Sequence, residues 1–322
     1  MMTNEARCFK LGSKVSGYRT NRKRETKNLV KNWQLYLFVL PSLIYILIYC
    51  YYPMYGVQIA FKDFRVGLGI EGSKWVGMKH FIKFLSTPSC IQLIRNTLSL
   101  SIYWLLVGFP LPILFALIVN ELRDGKYKNF VQTISYAPHF ISTVVMVSMI
   151  TMFLDASNGI INKLLGYLGF GPYPFMTTAD WFSTIYVVSG VWQNIGWSAI
   201  IYFAAIAGID PELHEAAMID GASRFRRIWH INLPGILPTV TIMLILAVGN
   251  IMSIGFEKVY LMQNALNTET SEIISTYVYK MGLQYNQYSY SSAIGLFNSG
   301  INFILLFTVN LIVKRLGDTS LF

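Results

Sequence analysis

The sequence predicts an all-α fold, a polytopic membrane protein with six transmembrane helices. Two observations support this fold class. First, 54% of the 322 residues are hydrophobic and only 13% are charged, about half the charged fraction of a soluble domain. Second, six stretches contain no Asp, Glu, Lys or Arg, and each is longer than the roughly 20 residues that a helix needs to cross a bilayer. These charge-free stretches are 32–61, 96–120, 129–154, 181–209, 228–256 and 281–313.

One transmembrane helix is predicted within each stretch. The predicted spans are 35–55, 97–119, 131–154, 184–207, 236–255 and 292–313. A seventh charge-free run, 164–179, is too short to cross a bilayer and contains several glycines and prolines. Because glycine and proline interrupt helices, this run is predicted to be a loop or a helix at the membrane surface.

The distribution of Lys and Arg predicts that both termini lie in the cytoplasm. With the N-terminus inside, the inner segments 1–34, 120–130, 208–235 and 314–322 hold 17 of the 26 basic residues. Positive charge concentrates on the cytoplasmic side of membrane proteins. The basic tail, 1–34, is interpreted as a topology signal that precedes a six-span domain, 35–322. Binding of anionic lipid or nucleic acid is the alternative, but nothing in the tail is patterned like a nucleic-acid module, so no nucleic-acid partner is expected.

The loop 208–235 between the fourth and fifth spans has the signals of two short helices. Asp210 and Pro211 have the residue types of an N-cap and a first helical position. Gly221 allows a break in a left-handed conformation, and Ser223 is a second candidate cap. Pro234 is expected to end the second helix, because it cannot donate to the preceding turn.

This loop resembles the segment through which permease subunits of ATP-binding-cassette importers contact their ATPase subunits. The family pattern is Glu-Ala-Ala, then Asp-Gly-Ala three residues on, then a Phe, an Ile and a Leu-Pro. An ordinary amphipathic connector would not explain this combination and spacing. The matching residues are Glu215, Ala216, Ala217, Asp220, Gly221, Ala222, Phe225, Ile231, Leu233 and Pro234.

The resemblance implies a role for each side chain in ATPase coupling. Glu215 and Asp220 are expected near basic groups of the ATPase. The arginines at 224, 226 and 227 are expected to meet its acidic rim or lipid headgroups. Small residues allow close helix approach, and two apolar residues are candidate anchors. The predicted coupling residues are Glu215, Ala216, Ala217, Asp220, Gly221, Ala222, Phe225, Ile228 and Pro234.

The likeness extends over nearly the whole chain. Residues 33–64, 192–211, 290–304 and 314–322 are similar to the polysaccharide-type (LplB-like) group of carbohydrate-uptake permeases, a class that includes the maltose permeases. This implies the MetI-like permease fold of binding-protein-dependent ABC importers, with five core helices after an extra N-terminal one. It also implies a bacterial cytoplasmic membrane, a second homologous permease subunit, two ATPase subunits and an extracytoplasmic sugar-binding protein. The ATPase subunits would bind ATP and Mg, and this chain would bind no cofactor.

Polar and aromatic residues on the later spans are candidates for a sugar path. Aromatic faces pack against sugar rings, and amides donate to and accept from hydroxyls. The alternatives are interfacial anchoring of Trp and interhelical bonding by Asn or Ser. Glu257 and Lys258 are expected to form an ion pair where the path opens outward. The candidates are Trp192, Gln193, Asn194, Trp197, Asn250, Ser253, Glu257 and Asn298, and the resemblance implies that Trp192 matches a Trp of the maltose permeases.

The sequence argues against a self-powered carrier or an enzyme. No ionisable residue lies in the middle of a predicted span, whereas ion-coupled carriers usually keep one there. Gly125-Lys126 lacks the rest of a phosphate-binding loop. The cysteines and histidines are scattered without metal-ligand spacing. The chain is therefore expected to provide a path that needs an external ATPase, and the resemblance implies oligosaccharide as the cargo. Peptides or another solute remain alternative cargoes, and an ion-coupled carrier or sensory component remains an alternative class.

Overall fold

The computed structural model describes residues 33–123 and 125–316. Most of the predicted basic tail and the chain end, 317–322, lie outside these residues. The chain divides into two compact units, Met1–Gln58 and Ile59–Phe322.

In the first unit, the described residues begin with helix α1, Trp33–Ile46. The helix continues through a π turn, Leu47–Tyr51, into a 3₁₀ segment, Tyr52–Phe61. None of the side chains of α1 is buried, although the segment is strongly apolar. Trp33–Phe61 is one of four helices long and apolar enough to cross a membrane. It covers the predicted span 35–55.

The second unit consists of helices and one small antiparallel hairpin. Its strands are β1 (Lys62–Arg65) and β2 (Ser73–Trp75). Its helices are α2 (Gly69–Gly72), α3 (Lys79–Leu85), α4 (Ser89–Gly108), α5 (Pro110–Asn120), α6 (Lys126–Tyr136), α7 (Thr143–Phe153), α8 (Ile160–Tyr167), α9 (Trp181–Ala207), α10 (Pro211–Ile219), α11 (Arg224–Arg227), α12 (Leu233–Gly249), α13 (Phe256–Met262), α14 (Thr268–Ser271), α15 (Ile274–Tyr279) and α16 (Tyr288–Leu316).

The hairpin is fixed to the last helix and to α3. The backbone N–H of Phe64 donates to Ser289 Oγ of α16 at 2.8 Å. Lys79 Nζ of α3 donates to Asp63 at 2.8 Å, and this hydrogen bond lowers the pKa of the Asp63 carboxyl.

Two predicted spans of the second unit lie within single helical runs, and a third overlaps one. Helices α4 and α5 form the run Ser89–Asn120, which contains the predicted span 97–119. The last predicted span, 292–313, lies inside the run Tyr288–Arg315. The fifth begins earlier and ends sooner than predicted, since its run is Arg224–Gly249 and residues 250–255 are not helical.

The predicted third span, 131–154, is not a single helix. Lys126–Phe140 and Thr143–Phe153 meet at an angle of 98°. Pro138 lies in a 3₁₀ turn that follows α6, and Ser142 caps α7 by accepting from the Val145 N–H at 3.4 Å. A proline and a new N-cap within five residues account for the break.

Helix α9 covers the predicted fourth span, 184–207, and at 27 residues it is long enough to cross a membrane. It is nevertheless not among the four helices that are apolar enough, because it carries several polar and aromatic side chains. The described residues therefore contain four candidate spans, or five if the bent pair is one span. The predicted count of six is not confirmed.

Helix α9 carries polar side chains because it packs against several other elements of the second unit. Phe182 and Tyr186 near its start belong to one buried apolar cluster, and Tyr202 and Ile206 near its end belong to another. At its middle, a Cβ on Gly196 would overlap the backbone carbonyl of Ser135 in α6. The helix thus packs against other elements near its start, its middle and its end, and polar side chains on the packed faces can find partners.

Candidate functional site

A cavity of about 820 Å³, here called the central cavity, lies beside α9. Its wall is formed by residues of α4, α5, α9 and α12, by Thr143 at the start of α7, and by residues between 250 and 258. Two predicted path residues, Trp192 and Asn298, are not part of the wall, and Trp192 is 49% exposed. The other six line it: Gln193, Asn194, Trp197, Asn250, Ser253 and Glu257.

The polar residues of α9 hold the bend between α6 and α7. Gln193 Nε2 donates to the carbonyl oxygen of Ile141, at the bend, over 2.9 Å. Asn194 Oδ1 lies 2.9 Å from His139 Nδ1. The His139 ring stacks on Trp197 with centroids 4.4 Å apart. These side chains therefore shape the cavity wall as well as face it.

The wall between α12 and α13 is irregular backbone, contrary to the predicted helix over 236–255. Two asparagines of α16 satisfy this backbone. Asn302 Oδ1 accepts from the Met252 N–H at 2.9 Å, and Asn298 Nδ2 donates to the Met252 carbonyl at 3.1 Å. Asn302 Nδ2 also donates to Ser253 Oγ at 2.7 Å. Non-helical backbone at membrane depth is tolerated where protein satisfies it beside a cavity.

The predicted ion pair between Glu257 and Lys258 is not formed. Neighbouring positions on a helix do not face each other, and the two residues are consecutive on α13. Lys258 is buried, and its Nζ donates to the Tyr186 carbonyl at 2.9 Å. Glu257 is exposed.

Sequence reasoning missed several aromatic residues of the wall. Trp104 and Phe109 come from α4 and its junction with α5, and Tyr186 and Tyr202 come from α9. Trp104 lies in the middle of a charge-free stretch rather than at its end, where interfacial anchors are found. This position is the sequence signal that could have identified Trp104 as a residue of the wall.

The predicted caps of the loop are present. Asp210 accepts from the Glu212 N–H at 3.0 Å, at the start of α10. Gly221 has a φ of +73°, which separates α10 from α11. Ser223 then accepts from the Arg226 N–H at 3.4 Å.

Pro234 does not end the second helix, contrary to prediction. Arg224–Gly249 is one continuous run of 26 residues. Before the proline, the helix widens into a π turn, Ile228–Asn232, in which the Leu233 N–H donates to the Ile228 carbonyl. A π turn alters the i−4 register at which the proline ring would otherwise clash.

The coupling loop, residues 208–235, presents an exposed apolar face. Helix α10 has no buried residue, and Glu215, Ala216 and Asp220 are exposed. Phe225 is 73% exposed and stacks on Trp229, while Ile219 is 87% exposed. Trp229 and Ile219 were not predicted as anchors. Trp229 follows Phe225 by four residues, and Ile219 follows Glu215 by four residues, so each pair lies on one face of a helix. This spacing is the sequence signal that could have identified them.

Two predicted contact residues of the loop point inward. Ile228 packs against the buried cluster that contains Ile206. Arg227 Nη2 lies 3.7 Å from Glu121 Oε2, just after α5. The fully buried Asn232 donates to the other oxygen of Glu121 at 3.4 Å. The second half of the loop is thus joined to the end of α5.

Comparisons with known proteins agree with these features. The family model for the inner membrane component of binding-protein-dependent transport systems matches residues 108–318. The chain is 44% identical to the Bacillus subtilis polygalacturonan/rhamnogalacturonan transport system permease protein YteP, over 94% of each chain. It is 46% identical to Bacillus subtilis protein LplB, over 89% of this chain and 91% of LplB.

A solved structure has the same architecture. It is a crystal structure of a bacterial ABC transporter involved in the import of the acidic polysaccharide alginate, with a TM-score of 0.84 and 39% identity. The match covers 91% of this chain and 99% of that chain. A second crystal structure contains the alginate transporter in complex with a periplasmic protein that holds an alginate pentasaccharide. The family resemblance drawn from the coupling loop is confirmed, and this chain belongs to the family of inner membrane components of binding-protein-dependent transport systems.

Proposed function

We propose that this chain is the permease subunit of an ATP-driven importer and forms half of the translocation path for an oligosaccharide. One observation carries the proposal. The continuous run Arg224–Gly249 begins in the exposed coupling loop and ends at the central cavity, where Met243, Leu246 and Ala247 line the wall. A single continuous helical run therefore joins an exposed surface suited to a partner with a cavity suited to cargo.

The chemistry of the cavity supports a sugar as cargo. Its wall combines aromatic rings, including Trp104, Tyr186 and Trp197, with the amides of Gln193 and Asn194. Such a surface packs against the faces of sugar rings and bonds their hydroxyls. The names of the similar permease YteP and of the alginate transporter point to the same cargo class.

The coupling loop supports an ATPase as the partner. Its acidic residues Glu215 and Asp220 are exposed, and its apolar face contains aromatic residues of the kind that dominate binding energy at interfaces. Closure of a pair of ATPase subunits, driven by ATP and Mg, would move the loop and tilt the attached helix. The same proposal includes a second permease subunit, an extracytoplasmic sugar-binding protein, and a bacterial cytoplasmic membrane with the coupling loop on the inside.

The test is reconstitution of the complex and measurement of sugar-stimulated ATP hydrolysis with Gly221→Pro. The substitution is incompatible with the positive φ at this break and removes the N–H that donates to Met218. We expect the stimulated rate to fall by about tenfold or more, because coupling depends on the position of the loop.

Gly169→Pro is a matched control. Gly169 also has a positive φ, +83°, is exposed and donates its N–H one turn back, but it follows α8 rather than α10. Equal loss in both variants, or retained coupling with Gly221→Pro, would contradict the docking role. Failure of the purified permease to associate with any ATPase subunit would favour an ion-coupled carrier.

A further inference from the structure

Two charged side chains, Glu257 and Lys258, are found among the described residues that line the central cavity. Their surroundings differ. Glu257 is exposed, whereas Lys258 is only 8% exposed. Water and salt screen an exposed charge more than a buried one, so Lys258 contributes the stronger field in this part of the cavity.

Lys258 has polar and aromatic neighbours but forms no ion pair with a residue of 33–123 or 125–316. Its Nζ donates to the Tyr186 carbonyl and lies 4.9 Å from the centroid of the Tyr186 ring. On another side is Gly190, where a Cβ would lie 3.2 Å from Nζ.

A purely structural role does not account for an ammonium group at this position. A buried cation is costly unless an anion accompanies it. The single bond to the Tyr186 carbonyl needs only a neutral donor, such as a glutamine amide. Since an ammonium has three donors, Lys258 can bind a further acceptor on the cavity side. An anion that enters the cavity with the cargo would compensate the charge.

The surroundings of Lys258 indicate what carries that anion. The Tyr186 ring lies beside the ammonium, and the Trp104 indole contacts the Tyr186 ring edge-on and lies, like Lys258 Nζ, close to Gly190. Aromatic rings favour the face of a sugar, and the ammonium favours a carboxylate. The cavity, at about 820 Å³, is far larger than a simple inorganic anion requires.

We propose that Lys258 binds a carboxylate of an acidic oligosaccharide and makes the central cavity selective for cargo that contains uronate residues. This inference rests on the proposed function and specifies its substrate class. Glu257, on the same short helix, then weakens the preference for acidic cargo by its like charge.

The test uses the full complex in proteoliposomes, with its binding protein saturated by cargo. Uptake is measured for a uronate trisaccharide and for its carboxyl-reduced, neutral counterpart. With Lys258→Gln, we expect uptake of the acidic trisaccharide to fall by at least about tenfold while uptake of the neutral one is unchanged, because loss of a buried charge partner is strongly felt. Glu257→Gln removes the like charge from the same helix and should raise the acidic-to-neutral uptake ratio.

The other outcomes of this experiment would overturn either the role of Lys258 or the proposed function. Equal loss for both trisaccharides, or no loss for either, would overturn the role of Lys258. If Lys258→Gln does not assemble, as judged by co-purification, Lys258→Arg provides the test. It keeps the charge, so a collapse of the acidic-to-neutral uptake ratio in that variant would also overturn the role. A wild-type complex that imports neither trisaccharide would instead contradict the proposed function.

Discussion

The coupling loop and the central cavity use polar residues in opposite ways. In the loop, Asp210 and Ser223 bond backbone groups only two or three residues away, and Glu215 and Asp220 are exposed. In the cavity, Gln193 bonds Ile141 across 52 positions of the chain. From Asp210 to Arg226 the loop is therefore organised locally and exposes its side chains, whereas the cavity is organised by contacts between distant elements.

The largest effect is expected when the exposed side chains of the loop are tested as a binding surface. Replacing Phe225 and Trp229 together by Ala should weaken association with the ATPase subunit by about 2–4 kcal/mol, since exposed aromatic residues are typical binding hot spots. Titration of the ATPase onto the purified permease pair in detergent measures this change. Thermal stability of the permease should stay unchanged, because both rings are exposed.

Tyr167→Ala is the control for that double variant. Tyr167 is 89% exposed and belongs to α8 rather than to the loop, so its removal should not alter ATPase binding. Unchanged affinity in the Phe225 and Trp229 double variant would mean that the apolar face of the loop is not the docking surface.

A smaller effect is expected on the cavity side, where the prediction concerns folding rather than association. Asn302→Ala removes the acceptor of the Met252 N–H and the donor to Ser253. An unsatisfied buried backbone group costs about 1–3 kcal/mol, so the unfolding temperature in detergent should fall. Ser299→Ala is the control, because Ser299 Oγ bonds only within its own helix, to Gly295. Equal stability of the two variants would show that α16 does not hold the irregular wall.

The smallest expected effect tests how local the organisation of the loop is. Asp210→Ala removes the N-cap of α10 and should destabilise that helix by about 1 kcal/mol. Hydrogen exchange should quicken at the amides of α10 and remain unchanged at those of α9. Faster exchange that spread into α9 would mean that the loop and the cavity are not independent.

This contrast explains which parts of the molecule could be predicted. The caps at Asp210 and Ser223 and the break at Gly221 depend on residues adjacent in sequence, and all three are present. The end of α12 at Gly249 depends on Asn298 and Asn302, about fifty positions away. Nothing near residues 250–255 indicates that these asparagines are available.

The same reasoning applies to the errors within the loop. Pro234 has the sequence signal of a helix end, but the π turn before it keeps the helix continuous. Arg227 has the signal of a surface cation, but its partner Glu121 lies more than one hundred positions earlier. Single-sequence patterns report the local preference, and the tertiary partner decides the outcome.

The irregular segment 250–255 has a mechanical consequence. A stiff helix that rotates about its base would drag every element rigidly attached to its far end. Here the far end of α12 is joined to α13 by six non-helical residues, while α16 holds Met252 from the side. Because α16 holds Met252 and the Tyr186 carbonyl holds Lys258, we expect that a movement of α12 is not transmitted rigidly to α13. The cavity could then change its width without displacing the charge in its wall.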